Sequence, residues 1–354
     1  LLLLSTMSSA TITIRDPSDS ANLTADASDN ALTADWNYTP TTYQTDAITG
    51  PYTYTNTTDT IAHATLTAST TDTSVLVIPS SSNLTISDTT ILKHGYSSDL
   101  YQSSFFGLNA AINIANASTA HLTHTNITSH NGAANLYAYG NTTLAIISSS
   151  TLYSSGAVIF SSGTRGSGSE INFTNTRLTV LPETGAALWF GNVVASSHLV
   201  ATTINTTSGI LVIANHSQVT QGFSYFADSA GRAEATITVT ESALVGDLVA
   251  YNGSVIRWAW GERSEWTGKA YSGEGEGEGM AYFAVELDGS SRWRLTGDAM
   301  LKNFTDGDGT LGNLDSGGFT LYYDAVSAAN GWLNGTTRRM KGGGYVRPAT
   351  EGQL

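Results

Sequence analysis

The chain repeats a phrase that never recurs letter for letter. From about Ser74 to Tyr323 it cycles through a short apolar strand, a Ser/Thr/Asn-rich strand and a turn marked by Gly or Asn. Ala111-Ile112-Asn113-Ile114 leads to His121-Leu122-Thr123-His124-Thr125-Asn126-Ile127-Thr128 and then Asn131-Gly132. Leu136-Tyr137-Ala138-Tyr139 leads to Leu144-Ala145-Ile146-Ile147, Thr151-Leu152 and Ser155-Gly156. The phrase returns at Val158, Leu188, Leu211, Val249, Phe283 and Leu321, at first every 22 to 30 residues and later at longer intervals. Strand-only repeats of this length stack as the coils of a solenoid and bury one continuous core. The expected architecture is all-β: a single-stranded right-handed parallel β-helix of about nine to eleven coils, with an N-terminal cap segment.

Composition agrees with strands and narrows the partners. Charged residues make up 12% and hydrophobic residues 40%, which is too apolar for a disordered chain. Thr, Ser, Val, Ile and Tyr outnumber the strong helix formers. The formal charge of −14 repels nucleic acid and anionic lipid, so neither is an expected partner. No apolar run follows the N-terminus that is long enough for a membrane span. The chain has no cysteine, so stacking of coils must stabilise it without disulfides.

Two features point to the secretory route. Leu1-Leu2-Leu3-Leu4 followed by Ser5-Thr6-Met7-Ser8-Ser9-Ala10 reads as the end of a signal peptide, residues 1–10, against the alternative of an ordinary first strand. Glycosylation acceptors occur at Asn22, Asn37, Asn56, Asn83, Asn116, Asn126, Asn141, Asn172, Asn205, Asn215, Asn252, Asn303 and Asn334. These are 13 of 22 asparagines, where chance would give about five or six. The excess favours a glycosylated, secreted or extracellular protein, although turn-forming Asn beside strand-forming Thr also makes such triplets by accident.

Residues 11–60 are polar with scattered aromatics and read as a polar N-terminal segment or cap; residues 61–350 read as the β-helix. Lys93 to Phe106 breaks the rhythm as a loop between coils, and Gly163 to Ser169 reads as a small, flexible excursion. From about Val249 the coils become rich in Trp and Arg. Gly273 to Gly279 alternates Gly with Glu and cannot pack.

These residues resemble a known group. Ser103-Ser104-Phe105-Phe106-Gly107-Leu108-Asn109-Ala110-Ala111, the Trp-Thr-Gly turn at Trp266, the Trp-Arg-Leu-Thr-Gly turn at Trp293, and the ending from Asn334-Gly335 to Gly342-Gly343-Gly344 are similar to secreted right-handed parallel β-helix proteins. That group is adhesin-like, is found in bacteria and fungi, and is largely without assigned reactions. The resemblance covers roughly residues 61–350, and the Trp coils also look like autotransporter passengers. It implies the fold and a secreted or surface location, carries over no catalytic residue, and the acceptor triplets suit a fungus better.

Several motifs invite chemistry. Leu181-Pro182-Glu183-Thr184-Gly185 spells a sortase signal but sits mid-chain, where Pro and Gly read as a corner. His121, His124 and His130 are close in sequence, yet His121 and His124 face opposite sides of a strand, so they read as solvent-facing ladder residues. Asp306-Gly307-Asp308-Gly309-Thr310 lacks the spacing of a calcium loop and reads as a tight turn. No metal or cofactor is called for. Lys93, His94, Tyr96 and Asp99 form a polar cluster in the long loop, with groups sufficient for β-elimination, although a plain surface excursion reads better. Trp258, Trp260, Trp266 and Trp293, with Arg257, Arg263, Arg292 and Arg294, concentrate groups that bind glycans: rings for sugar C–H faces, guanidinium for acidic sugars. The competing reading makes the tryptophans core residues.

The expected function is a secreted, glycosylated β-helix with a structural, adhesive or glycan-binding role at a cell surface or wall, its partner a polysaccharide or cell-wall glycan. The alternative is a carbohydrate-active enzyme, a polysaccharide lyase or glycoside hydrolase.

Overall fold

The computed structural model describes residues 47–95, 97, 102–103, 106–130, 133–154, 156–181, 186–215, 232–251, 253–273 and 281–350, with the side chains of 161–167 left aside. The segment read as a signal peptide lies outside these residues. Almost every described element is a short strand, and almost every pairing is parallel. The chain winds as a parallel β-solenoid of about ten coils, the expected architecture.

Each coil contributes to three walls. Wall 1 stacks Tyr52–Thr55, Leu76–Ser80, Ile112–Ala115, Leu136–Tyr139, the first part of Val158–Thr174, the first part of Leu188–Val200, Ile210–Asn215, Asp247–Ala250 and Ala270–Ser272. Wall 2 runs from Thr58–Ala62 through Asn83–Ser87 and Thr119–Thr123 to Val255–Gly261, Tyr282–Leu287 and Asn303–Asp306. Wall 3 runs from Thr65–Ala68 and Thr90–Lys93 to Thr203–Thr206, then resumes as Ala243–Val245, Glu265–Thr267, Arg292–Arg294 and Leu314–Asp315. Tyr52–Thr55 lies within, and Thr58–Ala62 begins within, the segment 11–60 read as a polar N-terminal segment or cap, and both strands already stack on the next coil. The Gly163–Ser169 stretch is not a free excursion. Its backbone belongs to the strand Val158–Thr174, and its extra residues are taken up as a bulge between Ser161 and Gly166.

The corner between walls 2 and 3 follows one rule. His63, Asp88, His124, Ser149, Asn175, Ala201 and Glu241 all take left-handed backbone, φ 47 to 53°. His, Asp and Asn accept that conformation more readily than most side chains, and four of the seven are of these types. The next residue turns a hydroxyl inward. Thr89, Thr125, Ser150, Thr176, Thr202 and Ser242 each donate to the carbonyl two residues earlier. Ser150 Oγ and Ser242 Oγ also accept the amides of Thr125 and Thr202 in the preceding coil, at 3.0 and 2.9 Å. The hydroxyls of Ser150 and Ser242 thus satisfy amides left unpaired where the strands break, and all six hydroxyls satisfy their own donor inside the corner.

The far end is closed differently. Parallel strands Ala299–Leu301, Thr320–Tyr323 and Tyr345–Pro348 form a separate sheet that packs beside the last strand of wall 1, a 3-10 helix spans Ala328–Leu333, and Arg338–Arg339 pairs antiparallel to Tyr345–Pro348.

Candidate functional site

The inward column of wall 3 is Leu66, Ile91, Ile127, Leu152, Leu178 and Ile204, each buried. After the strand resumes, the same inward place is taken in register by Leu244, Trp266, Trp293 and Leu314. Trp258 and Trp260 point inward from wall 2. The four tryptophans are only 1%, 3%, 1% and 1% exposed in chain order. Trp260 meets Trp266 and Trp293 edge-on at 5.4 and 5.8 Å. Indole N–H groups donate to Gly246 O from Trp266 and to Gly268 O from Trp293, at 2.8 and 2.9 Å. Burial on all sides leaves no ring face for a sugar. The glycan-binding role expected of Trp258, Trp260, Trp266 and Trp293 is therefore corrected: they fill the core where it widens.

The arginines lie outside and apart from the rings. Arg257 on wall 2 pairs with Glu234 at 3.3 Å, and Arg292 on wall 3 with Glu265 at 3.8 Å, each across one coil. Arg294 is exposed beside Arg292, and Arg263 occupies a corner with its amide bonded to Ser290 Oγ at 3.0 Å. They do not converge on one point.

The long-loop cluster is partly assembled. Tyr96 and Asp99 lie outside the described residues. Lys93 is the inward residue at the end of Thr90–Lys93 and is fully buried. Its Nζ donates to the backbone carbonyls of Thr70, at 3.3 Å, and His94. Burial pulls its pKa down to about 8, against a small opposing pull from Asp72. The His94 ring stacks on His130, centroids 4.2 Å apart and planes 7° from parallel. His130 is 8% exposed, not the solvent-facing ladder residue expected, because its ring is covered by His94. Burial, then the neighbouring His94, lowers its pKa to about 4; burial, then Lys93, lowers that of His94. Beside them opens a cleft of about 380 Å³, whose walls include Thr67, Ser69, Thr70, Thr73 and His94. His124 lies elsewhere, at its corner 3.7 Å from Asp88.

A third place escaped the sequence. Wall 1 is buried on both faces along most of its length: of its outward residues, Val77, Asn113, Tyr137, Trp189, Ile213 and Val249 are at most 2% exposed, while Thr53 is exposed and Ile159 half-buried. Toward the last coils this outer face opens and turns polar. Asp247 and Tyr251 flank Val249 on one strand; Lys269 and Tyr271 follow on the next coil, all half-buried. Lys269 Nζ sits 4.3 Å from the Tyr271 ring centroid. Asp247 Oδ1 accepts the Lys269 amide at 3.1 Å and Thr296 Oγ1 at 3.4 Å. Burial raises the Asp247 carboxyl above its ordinary pKa, partly offset by these bonds and by Lys269. Tyr251 and Tyr271 are raised too, chiefly by burial. On the adjoining C-terminal sheet, Arg347 lies over the Tyr322 ring at 4.8 Å and donates to its hydroxyl at 2.7 Å. The available signal was parity: these residues alternate with inward Leu248, Ala250 and Ala270.

Among the described residues no three His, Cys, Asp or Glu side chains gather as a metal ion would need. Asp306 to Thr310 forms a tight turn, in which Asp308 accepts the amides of Thr310 and Gly312, each at 3.0 Å. Of the acceptor asparagines, Asn56, Asn83, Asn116, Asn141, Asn205 and Asn334 are exposed; Asn126, Asn172 and Asn303 are half-buried. Asn22, Asn37 and Asn252 lie outside the described residues. Asn215 is fully buried, so it does not suit a glycan: a bulky polar chain cannot be accommodated inside the fold.

Compared with protein-family models, with curated proteins and with solved structures, the chain shows no match.

Proposed function

We propose that the chain is a secreted, glycosylated β-helix that binds a cell-surface or wall glycan in a structural or adhesive role. The binding face is the outer side of wall 1 in its last coils. The observation that carries this is the pairing of a cation with a tyrosine twice near this end of the solenoid: Lys269 with Tyr271 on wall 1, and Arg347 with Tyr322 on the adjoining sheet. Aromatic edges and aliphatic stems give a sugar apolar contact, while the cations hold carboxylates. An acidic glycan is attracted locally despite the net −14, because salt screens charge beyond about 8 Å. Exposed acceptor asparagines along the coils support passage through the secretory route.

One observation favours the enzymatic alternative, a polysaccharide lyase or glycoside hydrolase. Asp247, with its raised pKa beside Lys269 and Tyr271, has the character of a general acid. Affinity electrophoresis in gels containing neutral or acidic wall polysaccharide tests binding. Reducing-end and unsaturated-uronate assays on the same polymers test catalysis. Retardation without new chain ends supports the binding protein, and new chain ends lost in Asp247→Asn support the enzyme.

A further inference from the structure

We infer that the cleft beside Lys93 binds a carboxylated sugar, a uronic acid, with the buried Lys93 ammonium as its countercharge. This site belongs to the first coils, far along the solenoid from Tyr271, and stands independently of the glycan-binding face.

Burying Lys93 is costly. An ammonium taken from water is expensive unless a negative charge or a full set of hydrogen bonds replaces the solvent. Lys93 is fully buried, yet among the described residues it spends only two of its three protons, on the carbonyls of Thr70 and His94. Among the same residues no carboxylate lies within ion-pair distance of it; Asp72 is the acidic group that acts on it from further away. Burial disfavours the protonated form of the stacked His94–His130 pair, so among the described residues Lys93 is the cation beside the cleft, with Asp72 as the acidic group that acts on it.

Thr70 and His94, whose carbonyls hold the ammonium, also line the cleft. Lys93 is not itself part of the lining; its ammonium is held by the carbonyls of two lining residues, in surroundings where low polarisability strengthens its attraction for an anion. The remaining lining suits a sugar. Thr67, Ser69, Thr70 and Thr73 offer hydroxyls, and Pro51 and His94 offer flat, weakly polar surfaces for ring C–H groups. A volume of about 380 Å³ is at the small end of ligand sites and takes a single sugar ring. A carboxylate on that ring supplies a negative charge in addition to Asp72, the acidic group among the described residues that acts on Lys93. A neutral sugar adds no countercharge to Lys93, and a bare carboxylate leaves the hydroxyl walls unused.

The test is isothermal titration of the full chain with glucuronate, glucose and acetate. Glucuronate is expected to bind at least about tenfold tighter than either of the others. Its affinity should fall by about tenfold between about pH 7 and about pH 9.5, as Lys93 loses its proton. Lys93→Met should abolish the preference for glucuronate over glucose. Thr73→Trp, which fills the cleft and leaves Lys93 in place, should abolish binding of both sugars. If Lys93→Met fails to fold, Thr73→Trp and the pH dependence decide. No glucuronate binding, a different ranking of the three probes, an affinity flat across pH, or binding unchanged by Thr73→Trp would each overturn the proposal.

Discussion

Trp266 lies face to face on Trp293, ring centroids 4.6 Å apart and planes 15° from parallel. Each is the central, inward residue of a three-residue strand, and the two strands stack in register on successive coils. Replacing either with Ala opens a cavity that a rigid coil cannot collapse. Each change should cost about 3–5 kcal/mol, and the double variant less than the sum, since each loses the same partner. Thermal melting reads the outcome. An unchanged melting temperature would mean that the rings are not packed.

Gly268, in the Trp-Thr-Gly turn, has no room for a side chain. A Cβ there would stand 2.0 Å from the Gly246 carbonyl and 2.6 Å from Trp266 Nε1, the two atoms joined by the indole hydrogen bond. Gly268→Ala should cost about 1–3 kcal/mol in denaturant unfolding. Gly309→Ala, where a Cβ meets nothing within 4 Å, should cost far less.

Two buried bases set opposite pH windows. His130 has a folded pKa near 4, under its unfolded 6.5. The unfolded chain binds the proton first, so stability is full above pH 6.5 and falls as pH drops toward 4, by up to about 3 kcal/mol. Lys93 has a folded pKa near 8, under its unfolded 10.5. Its neutral form suits the fold, so stability rises between pH 8 and 10.5. Unfolding measured across pH should show both slopes. His130→Phe should reduce the acid slope, which His94 shares and the raised Asp306 carboxyl opposes, and Lys93→Met should remove the alkaline slope.

Much of the fold was readable because strands alternate. Parity alone puts Trp258 and Trp260 on one face and Arg257 on the other, and the folded chain has them so. Parity does not say which face is inward. That depends on strands a coil away, such as Ile237 and Val239 behind Trp258 and Trp260. Wall 1 hid more, because burial on both faces erases the alternation, and Tyr251 and Tyr271 passed as ordinary strand formers. Lys93 was legible as a polar residue at the start of a loop. Its cleft was not, since Thr70 lies 23 residues earlier and meets Lys93 only through coil stacking.

Glycan occupancy should follow exposure. Expressed through a eukaryotic secretory route and mapped by peptide mass spectrometry, Asn56, Asn83, Asn116 and Asn141 should carry glycans and Asn215 none. Endoglycosidase treatment should sharpen a heterogeneous band. Folded protein with Asn215 occupied would contradict the placement of that residue.

The most direct test of the binding face is affinity electrophoresis of four proteins against acidic wall polysaccharide, each checked by melting: wild type, a Tyr271→Ala/Lys269→Ala variant, Arg347→Ala and Arg292→Ala. The account predicts retardation for the wild type and for Arg292→Ala, whose side chain lies on wall 3 paired to Glu265. It predicts weakened retardation for Arg347→Ala, and loss for Tyr271→Ala/Lys269→Ala with little change in melting temperature. Undiminished retardation of a folded Tyr271→Ala/Lys269→Ala variant would contradict it.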